Sequence, residues 1–175
     1  MKTNTLARAM LVASTIFMLI GVSPQIAARE APNDFGRRVA GSYLLDLNLT
    51  GTDGTPFAVQ ALATLSAGGG VVATDTDDFG LGTAAFVHSP KQGAWKKSGK
   101  RDIRITLLEF AYDHFGNLTT VFKLQFHVEF EDKRFDSGNG LVSFEAFLPG
   151  QDVLDPHTLP VATGGGDFSF QRINP

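Results

Sequence analysis

KRDIRITLLEFAYDHFGNLTTVFKLQFHVEFE, residues 100–131, holds two long alternating runs separated by a turn. Asp113-His114-Phe115-Gly116 has turn chemistry, since Asp opens turns and Gly accepts positive φ. With the turn there, Tyr112 faces Asn117, Leu107 faces Phe122, Ile105 faces Leu124 and Ile103 faces Phe126. The other face pairs Thr106 with Lys123, Arg104 with Gln125 and Asp102 with His127. One register sorts both strands into an apolar face and a polar face, and a slip by one residue would mix them. Strands of about a dozen residues are long for an open sheet, so the spacing predicts an antiparallel sheet curled into a barrel.

The neighbouring segments extend the pattern. Val39 to Thr50 alternates with Tyr43, Leu45, Leu47 and Leu49 on one face, and Gly51-Thr52-Asp53-Gly54 carries a hairpin signal. Pro56 to Ala67 returns with Phe57, Val59, Ala61, Ala63 and Leu65 inward; Gly68-Gly69-Gly70 turns again into Val71 to Thr76. Asp77 to Pro90 lacks periodicity and reads as a long loop, followed by a short strand around Gly93 to Lys97. Phe135 to Leu148 supplies another strand, Pro149 to Pro160 a second long loop, and Phe168 to Ile173 the last strand. No stretch sustains a 3.6-residue period. The reading is all-β: an eight-stranded antiparallel up-and-down β-barrel, whose closure removes exposed edges.

The first 28 residues read as a secretory signal peptide. Lys2 and Arg8 precede the apolar run Ala9 to Val22, and Ser23 to Ala28 offers a small-residue cleavage site. Residues 29–38 read as a flexible lead-in and 39–175 as the barrel domain, secreted or periplasmic. Without Lys2 and Arg8, 13 basic residues face 18 acidic ones, a net charge of −5. That balance argues against nucleic acid and anionic membrane as partners, because both call for a basic surface. With no cysteine in the chain, the domain must be held by its core, and 14 of the 15 Phe lie beyond residue 28. Each buried Phe contributes roughly 1.5–3 kcal/mol of transfer free energy.

Gly41-Ser42-Tyr43 resembles the opening of lipocalin-like (calycin) barrels, in which a Gly-x-Trp on the first strand packs against a basic residue of the last. Tyr43 stands at the Trp position, and Arg172 is the corresponding basic residue. His88, Gly93, Trp95 and Gly99, then Asp113, Gly116 and Asn117, resemble a pattern found in small secreted bacterial proteins. These resemblances imply a β-barrel and no particular activity. Allene-oxide-cyclase-like barrels are similar in architecture, with no motif of theirs to carry over.

Glu109 is the candidate for chemistry. In the register above it lies on the apolar face opposite Thr120, where a carboxylate is costly unless paired. It is either a general base or polar anchor, or a rim residue reaching water. Glu145 joins it only in one of two registers; the register that buries Val142, Phe144 and Ala146 leaves Glu145 in solvent and covers more apolar surface. Tyr43, His88, Trp95, Tyr112 and Phe122 are the candidate ligand-binding residues. Asp75, Asp77 and Asp78 offer oxygen ligands but lack EF-hand spacing and read as a solvated loop. No cofactor or metal is expected. The expectation is a carrier or sensor for a small apolar molecule, with Ala61 and Ala63 leaving room in the lumen. The alternative is a cofactor-independent cyclase or isomerase using Glu109. Self-association into a homo-oligomer stays open.

Overall fold

The computed structural model describes residues 34–51, 53–76, 78 and 87–173. The segment read from the sequence as a signal peptide, the start of the lead-in, Asp77 and most of the first long loop lie outside these residues. A short helix, α1 (Asp34–Val39), precedes nine strands. They are β1 (Gly41–Thr50), β2 (Pro56–Leu65), β3 (Gly70–Asp75), β4 (Val87–His88), β5 (Lys91–Lys97), β6 (Asp102–Tyr112), β7 (Leu118–Phe130), β8 (Ser137–Phe147) and β9 (Ala162–Arg172). All pairings are antiparallel, β9 returns to β1, and β6 pairs with β7 to close the sheet. Because β4 and β5 follow each other along one edge of β6, the wall has eight staves: a closed eight-stranded barrel.

The hairpin keeps its faces and changes its pairs. Leu107 lies opposite Leu124, Ile105 opposite Phe126, Ile103 opposite Val128 and Glu109 opposite Phe122. Each pair is therefore two residues from the register expected from the sequence, and the shift arises at the turn. Asp113 accepts from the amides of Phe115 and Asn117, which fixes Asp113 and Asn117 as the closing pair. A bulge between Ala111 and Tyr112 then takes up one more residue, with the Thr119 hydroxyl donating to Ala111 O. A shift by two preserves the period of the pleat, so the apolar face survives. On the outside, His127 lies opposite Arg104 instead of Asp102. Glu145 faces outward and pairs with Lys123 at 2.8 Å, while Val142 and Ala146 are buried.

Two segments differ from the sequence expectation. The end of the lead-in is helical: α1 sets Phe35 against Phe135 and Trp95 and buries Val39. β9 begins at Ala162, through Gly164-Gly165-Gly166, a run whose composition reads as loop. At Gly166 a Cβ would stand 1.9 Å from Asn48 O, so the chain there tolerates only glycine. The facing strand repeats the device: Gly138 lies opposite Phe170 and Gly140 opposite Phe168, each ring covering the bare glycine.

These rings fill the lower lumen. Tyr43, Phe130, Phe168, Phe170 and Phe126 meet in a chain of tilted and edge-to-face contacts at 5.2–6.3 Å. Ala61, Ala63 and Ala73 stand across from them, and the space left is about 70 Å³. The small residues are therefore matched to large rings and leave no wide cavity at this level. At the floor, the Tyr43 hydroxyl donates to Val39 O at 2.7 Å and accepts from Arg172 Nη2 at 2.7 Å. A Gly140→Ala substitution places a methyl 2.1 Å from His127 O and against the Phe168 ring. Urea denaturation is expected to show a loss of about 1–3 kcal/mol with the slope unchanged.

Candidate functional site

Above the aromatic layer the barrel opens. A cavity of about 440 Å³ lies at the mouth, walled by Leu49, Phe57, Val59, Phe122, Leu124, Phe144 and Ala146. Its inner end is polar and is made by Asp75, His88, Lys91 and Glu109.

Strand periodicity alone would not put His88 and Lys91 on the same face, since they are three residues apart. The break between β4 and β5 does so. His88 pairs with Ala111, whereas Gln92 pairs with Leu108, so one extra residue is absorbed at Ser89-Pro90. Pro90 has no N–H to give the ladder, and Ser89 compensates: its amide donates to Phe110 O and its hydroxyl accepts from Phe110 N. Both side chains then point inward, Lys91 beside Glu109 on β6 and diagonal to Asp75 on β3.

Lys91 is 4% exposed, and its Nζ stands 2.8 Å from Asp75, 2.7 Å from Asp78 and 2.7 Å from Glu109. Burial works against its charge, but Glu109, Asp75 and Asp78 outweigh burial and hold the ammonium protonated well above lysine's ordinary range. Asp78 also accepts from the Asp75 amide, which ties the start of the following connection to the cluster. Burial pushes the Asp75 carboxyl up despite Lys91, and the neighbouring Asp78 adds to the rise. His88 Nδ1 lies 2.9 Å from Glu109 Oε1, and its ring stacks on Phe122 at 5.8 Å between centroids. The Glu109 hydrogen bond raises the imidazole's pKa against the opposing effect of burial.

Of the residues singled out from the sequence, the cavity gathers Glu109, His88 and Phe122. Tyr43 and Trp95 lie toward the floor, Tyr43 bonded to Arg172 and Trp95 packed on Phe35 with its Nε1 donating to Ser66 O. Tyr112 is half-buried at the end of β6 opposite Val87 and does not line the cavity. Glu109 is a buried member of a cluster and not a rim residue. Asp75 and Asp78 are not solvated loop residues: both turn in to Lys91. Among the described residues no grouping of His, Cys, Asp or Glu suits a metal ion. Lys91 is the residue that sequence reasoning missed, because its parity is readable only once the break at Pro90 is known.

No protein-family model and no curated protein matches this chain. Among solved structures the chain is similar to EF1p2_mFAP2b bound to DFHBI, at 12% sequence identity and a TM-score of 0.43, over 78% of this chain and 95% of that one.

Two outcomes follow from the cluster. Lys91→Met leaves three inward carboxylates without their cation, and denaturant titration is expected to show a loss of about 3–5 kcal/mol. The raised His88 pKa means that the folded state holds that proton more tightly than the unfolded chain. Its contribution is complete below the unfolded value of 6.5 and disappears as pH rises through the folded value. The stability difference between the wild type and His88→Gln, measured by denaturation across pH, should be largest in acid and shrink toward alkaline pH.

Proposed function

We propose that this barrel binds a small, mainly apolar molecule in its mouth cavity, as an exported carrier or sensor. The supporting observation is the cavity itself. About 440 Å³ of space, within the range of small-molecule sites, is walled by Leu, Val, Phe and Ala and ends on a few fixed polar groups. A barrel that needed only a stable core would fill this level as it fills the one beneath. The Tyr43–Arg172 contact supports a lipocalin-like reading of the floor, and the apolar run at Ala9 to Val22 supports export.

A second reading has its own support. Glu109 Oε1, already paired with the Lys91 ammonium, is an acceptor, so the tautomer with the proton on Nδ1 donates to it and leaves Nε2 as a base on a residue that lines the cavity. A carboxylate-oriented imidazole over an apolar pocket suits a cofactor-independent isomerase or cyclase. In that reading Glu109→Gln keeps ligand affinity and lowers turnover by about 10²-fold or more.

The binding reading is tested with Nile red, a neutral dye whose emission rises in apolar surroundings. The wild type should bind it with saturable fluorescence. Ala146→Trp, which places an indole in the cavity, should abolish the signal while the protein stays folded by circular dichroism. Equal signals from both proteins would sink the cavity as the binding site.

A further inference from the structure

We infer that the mouth cavity selects ligands whose polar end is a hydrogen-bond donor, an amine above all, and discriminates against carboxylates. This rests on the binding reading above and adds the chemistry of the ligand's head.

Donors and acceptors at the cavity's inner end set the preference. An ammonium carries three protons. Lys91 has three carboxylate oxygens at 2.7–2.8 Å, one for each proton, so it has no donor to spare for a ligand. With its Nδ1–H committed to Glu109, neutral His88 presents only the Nε2 lone pair. On Glu109, the hydrogen bond to His88 and the ion pair with Lys91 both run through Oε1, which leaves Oε2 for a ligand, in a residue only 4% exposed that lines the cavity. Besides Asp75, whose carboxyl is engaged with Lys91, the Thr120 hydroxyl is the one other polar side chain of the described lining, and it can turn either way.

Charge points the same way. Three carboxyl groups surround one ammonium, so negative charge is in excess while His88 is neutral, even where the raised Asp75 carboxyl holds its proton, and a proton on His88 reduces that excess. A carboxylate entering this end would meet like charge in a site where repulsion is poorly screened, and it would find no free N–H. An ammonium or neutral N–H donor would complete the two open acceptors, Glu109 Oε2 and His88 Nε2. Around His88 stand Glu109 on β6, Lys91 on β5, Asp75 on β3 and the uncharged Phe122 ring on β7. A proton on Nε2 occupies the acceptor that an amine would use, so proton and amine compete.

The test is displacement of Nile red from the wild type by decylamine, decanol and decanoate, three ten-carbon chains differing only in the head, each below its micellar concentration at pH 8. Decylamine should displace at a concentration lower than decanoate by about tenfold or more, the effect of one charge-assisted hydrogen bond, with decanol between them. Its affinity should fall from pH 8 to pH 6 while that of decanol stays level. If decanoate matches or exceeds decylamine, or if Nile red binds and no probe displaces it, the inference is overturned and the binding reading stands. If Nile red does not bind and none of the three raises the melting temperature, both fail together.

Discussion

The Lys91 ammonium, placed inside an apolar barrel and reached by three carboxylates, is the constraint to which the mouth half answers. Four charges taken from water would each cost several kcal/mol if left alone. They persist because strands β3, β5 and β6 bring Asp75, Lys91 and Glu109 to one level, and the residue chain beyond β3 bends Asp78 back to complete the set. The same contacts mark where the core stops. Below Lys91 the lumen is rings and methyls; above it the walls remain apolar and the interior is open. A charged layer across a barrel cannot be sealed by packing alone, so the cavity and the cluster are two aspects of one arrangement.

The lower half obeys a different rule, that of volume. Five aromatic rings need room, and the facing strand yields it by omitting side chains at Gly138 and Gly140, as Gly164 does for Phe144 nearer the mouth. Gly165 and Gly166 then allow β9 to approach carbonyls of both neighbouring strands. Phe135, held at φ 62°, accepts a left-handed backbone because its ring is buried between Phe35 and Phe130 and its amide is taken by Asp132. Such a conformation costs a non-glycine residue free energy, which dense ring packing offsets.

The fold was legible in the chain because strand period is a local property. Ile103, Ile105, Leu107 and Glu109 share a face whatever lies across from them. Register was not legible, because it depends on how Asp113 caps a turn and where Ala111 bulges, and neither leaves a periodic trace. β9 hid behind its glycines, whose loop-like composition means close approach in this setting. In the site, Glu109 announced itself as a carboxylate in an apolar stripe. Lys91 did not, since a lysine after Ser-Pro reads as a surface turn until the one-residue offset turns it inward. Asp75 and Asp78 were ambiguous for the same reason: an acidic loop and an acidic cluster are alike until their cation is found.

The ring-filled lumen also decides how anything could travel through this molecule. With about 70 Å³ left among the rings, and with α1 and the Tyr43–Arg172 contact across the floor, the described residues leave no passage at that end. In the binding reading, traffic is therefore in and out by the mouth, not through the barrel. A guest must back out along the path by which it entered, and water displaced on entry must pass it in the same opening. Residence time in that reading is governed by the mouth and by the β8–β9 connection, whose Val161 lines it.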